Sequence, residues 1–180
     1  MVIIIHGASH VGKTLLAQKI LEKLNYPYLS LDHLKMGLYK SGKFNFTPMS
    51  RYSDITNEIW VVVEEIIKTN IENKQNIIIE GCFIPDNFQD YFGNEYLCNI
   101  KYVCLVLSQD YITNHFNDIC KYGNIIENRI DNNVEFELIK KCNANHLNNC
   151  INRELYYYLV NDLYDIKDIT SKVLKYINKK

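Results

Sequence analysis

Residues Gly7-Ala8-Ser9-His10-Val11-Gly12-Lys13-Thr14 have the spacing G-x-x-x-x-G-K-T, a pattern suited to gripping a polyphosphate. Its glycines let the backbone close around an anion with no Cβ in the way. Successive N–H groups of such a loop, with the unpaired N–H groups of the next helix's first turn, converge on the anion. Lys13 then reaches the β- and γ-phosphates, and the Thr14 hydroxyl is placed to ligate Mg²⁺. Gly7, Ala8, Ser9, His10, Val11 and Gly12 are expected to contribute mainly backbone, His10 among them through its N–H.

Phosphate chemistry also needs oxygens for a metal, a group to orient an acceptor, and cations over the transferring phosphoryl. Asp32 and Glu80 supply the carboxylates. One acid near Thr14 would complete a magnesium shell, since Mg²⁺ prefers oxygen ligands. We expect Glu80 to support the metal or the substrate. Asp32 is expected to position and deprotonate an acceptor hydroxyl, which phosphoryl transfer needs as orientation more than as strong basicity. Of the 20 basic residues three are arginines: Arg51, Arg129 and Arg153. Charge at the equatorial oxygens calls for one of them, with Arg129 the first choice for the closing cation and Arg51 on the acceptor side. Lys35 and Lys121 are further candidate phosphate contacts. His33 reads as a surface histidine.

The elements that would hold these residues can be read from apolar periodicity. Val2-Ile3-Ile4-Ile5-His6 is a continuous apolar strand, and Leu16, Ala17, Ile20, Leu21 and Leu24 form one stripe of a helix after the glycine loop. Tyr28–Leu31 reads as a second strand ending at Asp32, with a short helix or turn from His33 to about Tyr39. Thr47-Pro48 resembles an N-cap with proline at the first helical position, opening a long helix with Ile55, Ile59, Val62, Val63 and Ile66 on its inner face. The runs 76–81 and 100–107 suit strands covered on both faces. Residues 109–152 read as helical, with stripes Ile112/Phe116/Ile119 and Val134/Leu138/Cys142. Residues 156–160 form a fifth strand, and Ile169, Val173, Leu174 and Ile177 line a terminal helix. Alternating strands and helices imply an α/β fold, a parallel sheet between two helical layers. Ligands belong at the carboxyl ends of its strands, where the glycine loop, Asp32 and Glu80 share one rim.

With 180 residues, 47% of them hydrophobic, and no linker or repeat, the chain is expected to be one domain, 1–180. Net charge is −1 with dispersed lysines, which offers no footprint for nucleic acid and no patch for a membrane surface. No apolar run approaches a membrane span and the first strand starts at residue 2, so a cytoplasmic location is expected. The six cysteines (82, 98, 104, 120, 142, 150) show no C-x-x-C and no Cys/His metal spacing, and are expected to be buried reduced thiols.

Taken together, Gly7–Thr14, Leu31-Asp32-His33-Leu34 and Ile77-Ile78-Ile79-Glu80-Gly81 resemble the small P-loop kinases of the nucleoside monophosphate kinase-like group. That group includes adenylate and shikimate kinases, chloramphenicol phosphotransferase and the zeta-toxin kinases. The resemblance implies a three-layer P-loop NTPase fold, a five-stranded parallel sheet, and a helical lid near 109–152 that would carry Arg129. It also implies ATP as donor with Mg²⁺, and a post-strand-2 acid, Asp32, serving as base or substrate anchor. The segment after strand 3 departs from the adenylate kinase pattern: Ile84 precedes Pro85, and the arginine is absent. A Thr-Gly-Asp acceptor motif and a closely spaced arginine pair are also missing. These departures favour a different small polar acceptor, as in the phosphoglycerate-kinase-like ATPases of low-GC bacteria. A nucleoside monophosphate kinase and an ATPase switch acting through a partner are the alternatives.

Overall fold

The computed structural model describes residues 1–123 and 135–179. Five strands, β1 (Val2–His6), β2 (Tyr28–Ser30), β3 (Ile77–Glu80), β4 (Ile100–Leu107) and β5 (Tyr157–Val160), form one sheet in the order β2-β3-β1-β4-β5. Every pairing is parallel. This is the P-loop NTPase-like α/β arrangement.

The apolar runs explain the order. All five residues of β1 and the last six of β4 are buried, as central strands covered on both faces require. Alternate side chains then build two cores. Val2, Ile4, Cys104 and Val106 point into one with Ile55, Ile59, Trp60, Val63 and Ile67 of α3 (Tyr52–Glu72). Ile3, Ile5, Val103 and Leu105 point into the other, with Leu16 and Ile20 of α1 (Lys13–Leu24) and Ile169, Val173 and Ile177 of α7 (Ile166–Ile177).

Several local expectations need correction. β2 ends at Ser30, and α2 runs from Leu31 to Lys40, so Asp32 lies in the first helical turn and neither closes the strand nor caps the helix. Thr47–Ser50 is a hydrogen-bonded turn: the Thr47 N–H donates to Ser50 Oγ, and the Ser50 N–H to the Thr47 carbonyl. That turn displaces the start of α3 to Tyr52, with Arg51 at its N-cap. A 3-10 turn (Phe88–Tyr91) and the short α4 (Asn94–Leu97) fill the connection between β3 and β4. The helical region 109–152 contains α5 (Gln109–Tyr122) and α6 (Phe136–Asn152). In α6 the buried positions are Ile139, Asn143 and Cys150, while Leu138 is 54% exposed. Val134 lies outside the described residues. Cys98 and Cys120 are exposed, unlike buried Cys104 and Cys150. No helix among the described residues is long and apolar enough to cross a membrane.

Candidate active site

β1 delivers the chain to the carboxyl edge of the sheet, where residues 7–12 turn back into α1. Gly7 and Gly12 have φ of 141° and 90°, values that L side chains rarely adopt. A Cβ on Gly7 would enter the Leu105 carbonyl of β4, and one on Gly12 would enter the Tyr164 hydroxyl. His10 is also left-handed, at φ 66°. Gly12 is the N-cap of α1 and brings no side chain to its first-turn amides, which leaves them to an anion. Lys13 folds back over the loop and its ammonium donates to the Ala8 carbonyl at 2.8 Å. Burial pulls the Lys13 pKa down, but the nearby Cys82, Glu80 and Asp32 outweigh that, so it stays above the ordinary lysine value and charged.

The neighbouring strands bring the acids. Glu80 pairs in register with Ile5 of β1 and with Ser30 of β2, and is only 1% exposed. Its Oε1 accepts from the Thr14 hydroxyl at 3.4 Å and from the Tyr28 hydroxyl at 3.3 Å. A solvent-facing role for Glu80 is therefore excluded. Thr14 and Glu80 together present hard oxygen donors beside the phosphate loop, a set that fits Mg²⁺.

Asp32 stands one helical turn before Lys35, 3.6 Å from its ammonium. Lys35 also lies over the Phe83 ring at 4.9 Å. Tyr52, beside Arg51, donates its hydroxyl to the Cys82 carbonyl and stacks on Phe83 at 5.3 Å. Burial raises the Tyr52 pKa, so that hydroxyl stays protonated. Arg51 is exposed.

The other cations divide. Arg153 pairs with Asp90 at 3.4 Å on the surface, and Lys121 lies over Tyr122 near the end of α5. Arg129 lies outside the described residues.

On the opposite side of the loop is a cleft of about 450 Å³ between α5 and the segment after β5. Gly12 to Leu15 floor it, Tyr111, His115 and Ile119 form one wall, and Asp162 and Tyr164 the other. Tyr111 and His115 stack at 4.6 Å. The Tyr164 hydroxyl is buried without a hydrogen-bond partner among the described residues, and its pKa is raised by that burial. Sequence reasoning missed this wall. Its only signal was position, just beyond a strand's carboxyl end. It also missed Tyr28, the second donor to Glu80.

The sheet order and the glycine loop define a P-loop NTPase-like protein. Residues 2–90 match the family model AAA_33, described as an AAA domain. Among solved structures the whole chain is similar to three kinases. A gluconokinase from Sinorhizobium meliloti has a TM-score of 0.59 at 12% identity, over 98% of this chain and 90% of that one. A sugar kinase from Janibacter sp. has a TM-score of 0.62 at 9% identity, over 98% and 94%. A shikimate kinase from Bacteroides thetaiotaomicron has a TM-score of 0.53 at 15% identity, over 99% of both chains. These likenesses are of fold. No curated protein matches the sequence.

Proposed function

We propose that the chain is an ATP- and Mg²⁺-dependent phosphotransferase, a single domain that moves the γ-phosphate to a hydroxyl of a small polar acceptor. One observation carries this reading. Lys13, Glu80 and Asp32, remote in sequence, belong to adjacent parallel strands and the turns that leave them, and the Glu80 carboxylate is buried against Thr14. A cup for phosphate, hard oxygens for a metal and a more exposed carboxylate on the acceptor side are what transfer requires. The kinase names of the structural neighbours agree with it.

In this reading the loop amides and Lys13 hold the β- and γ-phosphates, and Lys13 stabilises charge that builds there during transfer. Thr14 and Glu80 would hold Mg²⁺, which neutralises phosphate charge when bound. Asp32 accepts the proton of the acceptor hydroxyl as the hydroxyl oxygen bonds to the γ-phosphorus and the bond to the β,γ-bridging oxygen breaks, ADP leaving with that oxygen. Lys35 and Arg51 orient the acceptor. Arg129 is the proposed closing cation, in a lid drawn from 109–152. The Tyr111–Tyr164 cleft receives the nucleoside end of the donor.

The test is ATP turnover with and without a panel of acceptors: sugar acids such as gluconate, hydroxylated ring acids such as shikimate, and nucleoside monophosphates. Strong stimulation by one compound, with its phosphorylated product detected, supports the proposal. Acceptor-independent turnover that rises only with a protein partner would instead indicate a switch.

A further inference from the structure

Behind the phosphate loop, on the α6 side of the sheet, three side chains that the proposed transfer does not use come together. His6 ends β1, Cys104 is its register partner on β4, and His146 sits on α6. One ligand atom from each lies within 4.8 Å of the other two. His6 and Cys104 are buried and His146 is half-buried, with its ring 4.6 Å from that of His6. α6 adds a fourth candidate one turn on, at the i+4 position: Cys150, buried in the same core cluster as Cys104.

The hydrogen bonds around His6 fix which nitrogen holds its lone pair. Nε2 lies 3.1 Å from the Cys82 carbonyl, which can only accept, so Nε2 carries the proton. Nδ1 is therefore the acceptor, and it points inward to the Tyr102 hydroxyl at 2.8 Å. An imidazole pinned through one N–H to a backbone carbonyl, with the lone pair on its other nitrogen, is the usual arrangement of a metal-bound histidine. With metal–ligand bonds of about 2.0–2.3 Å, tetrahedral ligand atoms stand roughly 3.5 Å apart. His6, Cys104 and His146, whose ligand atoms lie within 4.8 Å of one another, would close to that spacing by shifts of about an ångström.

We propose that His6, Cys104 and His146, with Cys150 turning in as the fourth ligand, form a structural site for a thiophilic divalent cation of the Zn²⁺ class. Two imidazoles and a thiolate suit such an ion and not Mg²⁺, whose oxygen donors lie at Thr14 and Glu80. The ion would tie α6 to the strand that launches the phosphate loop. Binding releases the thiol protons to solvent. The site stands independently of the proposed transfer.

The test uses the full chain, stripped with a chelator under reducing conditions and titrated with Co²⁺ alone, then Zn²⁺. One equivalent of Co²⁺ is expected to bind. It should give the intense visible bands of a tetrahedral ion and a thiolate charge-transfer band, and one equivalent of Zn²⁺ should displace it. Cys104→Ser should at least halve the charge-transfer band and weaken binding tenfold or more, and His146→Ala should weaken it comparably. Cys98→Ser, at an exposed thiol, should change nothing. Circular dichroism checks the fold of each variant, and His146→Ala decides if Cys104→Ser does not fold, since His146 is only half-buried. Absence of the charge-transfer band, or a band lost in Cys98→Ser and kept in Cys104→Ser and His146→Ala, would overturn the proposal and leave a hydrogen-bonded core.

Discussion

Gly12 carries two constraints at once: a backbone that only glycine adopts without strain, and a Tyr164 hydroxyl resting where a Cβ would stand. Gly12→Ala should therefore lower stability by about 1–3 kcal/mol, measurable by denaturant unfolding, and abolish triphosphate binding. Wild-type stability in that variant would mean that the loop relaxes freely. Asp32 is tested separately. Asp32→Asn keeps the shape and the helical position but cannot take a proton, so it should leave ATP binding intact and slow transfer about 10²–10⁴-fold. A near-normal rate would reduce Asp32 to a partner of Lys35. At this scale the sequence was legible where spacing alone determines chemistry. The loop needs only amides at fixed intervals, so Gly7 to Thr14 could be read directly. Tyr28 and Tyr164 carry no such spacing, and reach the site through folding that no local pattern announces.

Among the elements, strands were easier to read than helix boundaries. The apolar runs of β1, β3 and β4 are buried on both faces, and burial is what an unbroken run records. In α6 the pattern misled by one position. Asn143 is buried because its Oδ1 accepts the Leu107 N–H at 2.8 Å while its Nδ2 donates to the Ile139 carbonyl. A hydrogen-bonded asparagine replaces an apolar residue on the inner face, and a count of hydrophobic positions cannot see it. The start of α3 failed for a related reason: Ser50 Oγ accepts the Thr47 N–H and Thr47 Oγ1 accepts the Met49 N–H, a local alternative to helix that such side chains favour. α7, by contrast, begins with a working cap. The Asp165 carboxylate accepts from the Lys167 and Asp168 N–H groups at 2.8 and 3.4 Å. Asp165→Ala should cost about 1 kcal/mol in thermal or chemical unfolding, and Asp165→Asn much less. Equal losses in the two would show that charge, not capping, matters there.

For the whole molecule, the sheet order turns sequence distance into proximity. His6 illustrates the consequence for stability. Burial first, then the positive fields of His146 and Lys13, hold its pKa well below the ordinary imidazole value of 6.5. The folded state then binds fewer protons than the unfolded chain at mildly acid pH. Stability should be full above about 6.5 and fall as pH drops below it, levelling only beneath the depressed folded value. Each unit of depression is worth about 1.4 kcal/mol. In chelator-treated protein, melting temperature should decline from pH 7 to 5, and His6→Gln should flatten that slope. An unchanged slope in His6→Gln would assign the acid sensitivity elsewhere.

The architecture as a whole converges on the cup between β1 and α1, and on Lys13 within it. Calorimetric titration of the wild type and Lys13→Ala with a non-hydrolysable ATP analogue and Mg²⁺ tests this most directly. One site is expected in the wild type, with affinity lowered at least roughly thirty-fold in a variant that melts like its parent. Equal affinity in the two proteins, or no binding to the wild type, would contradict it.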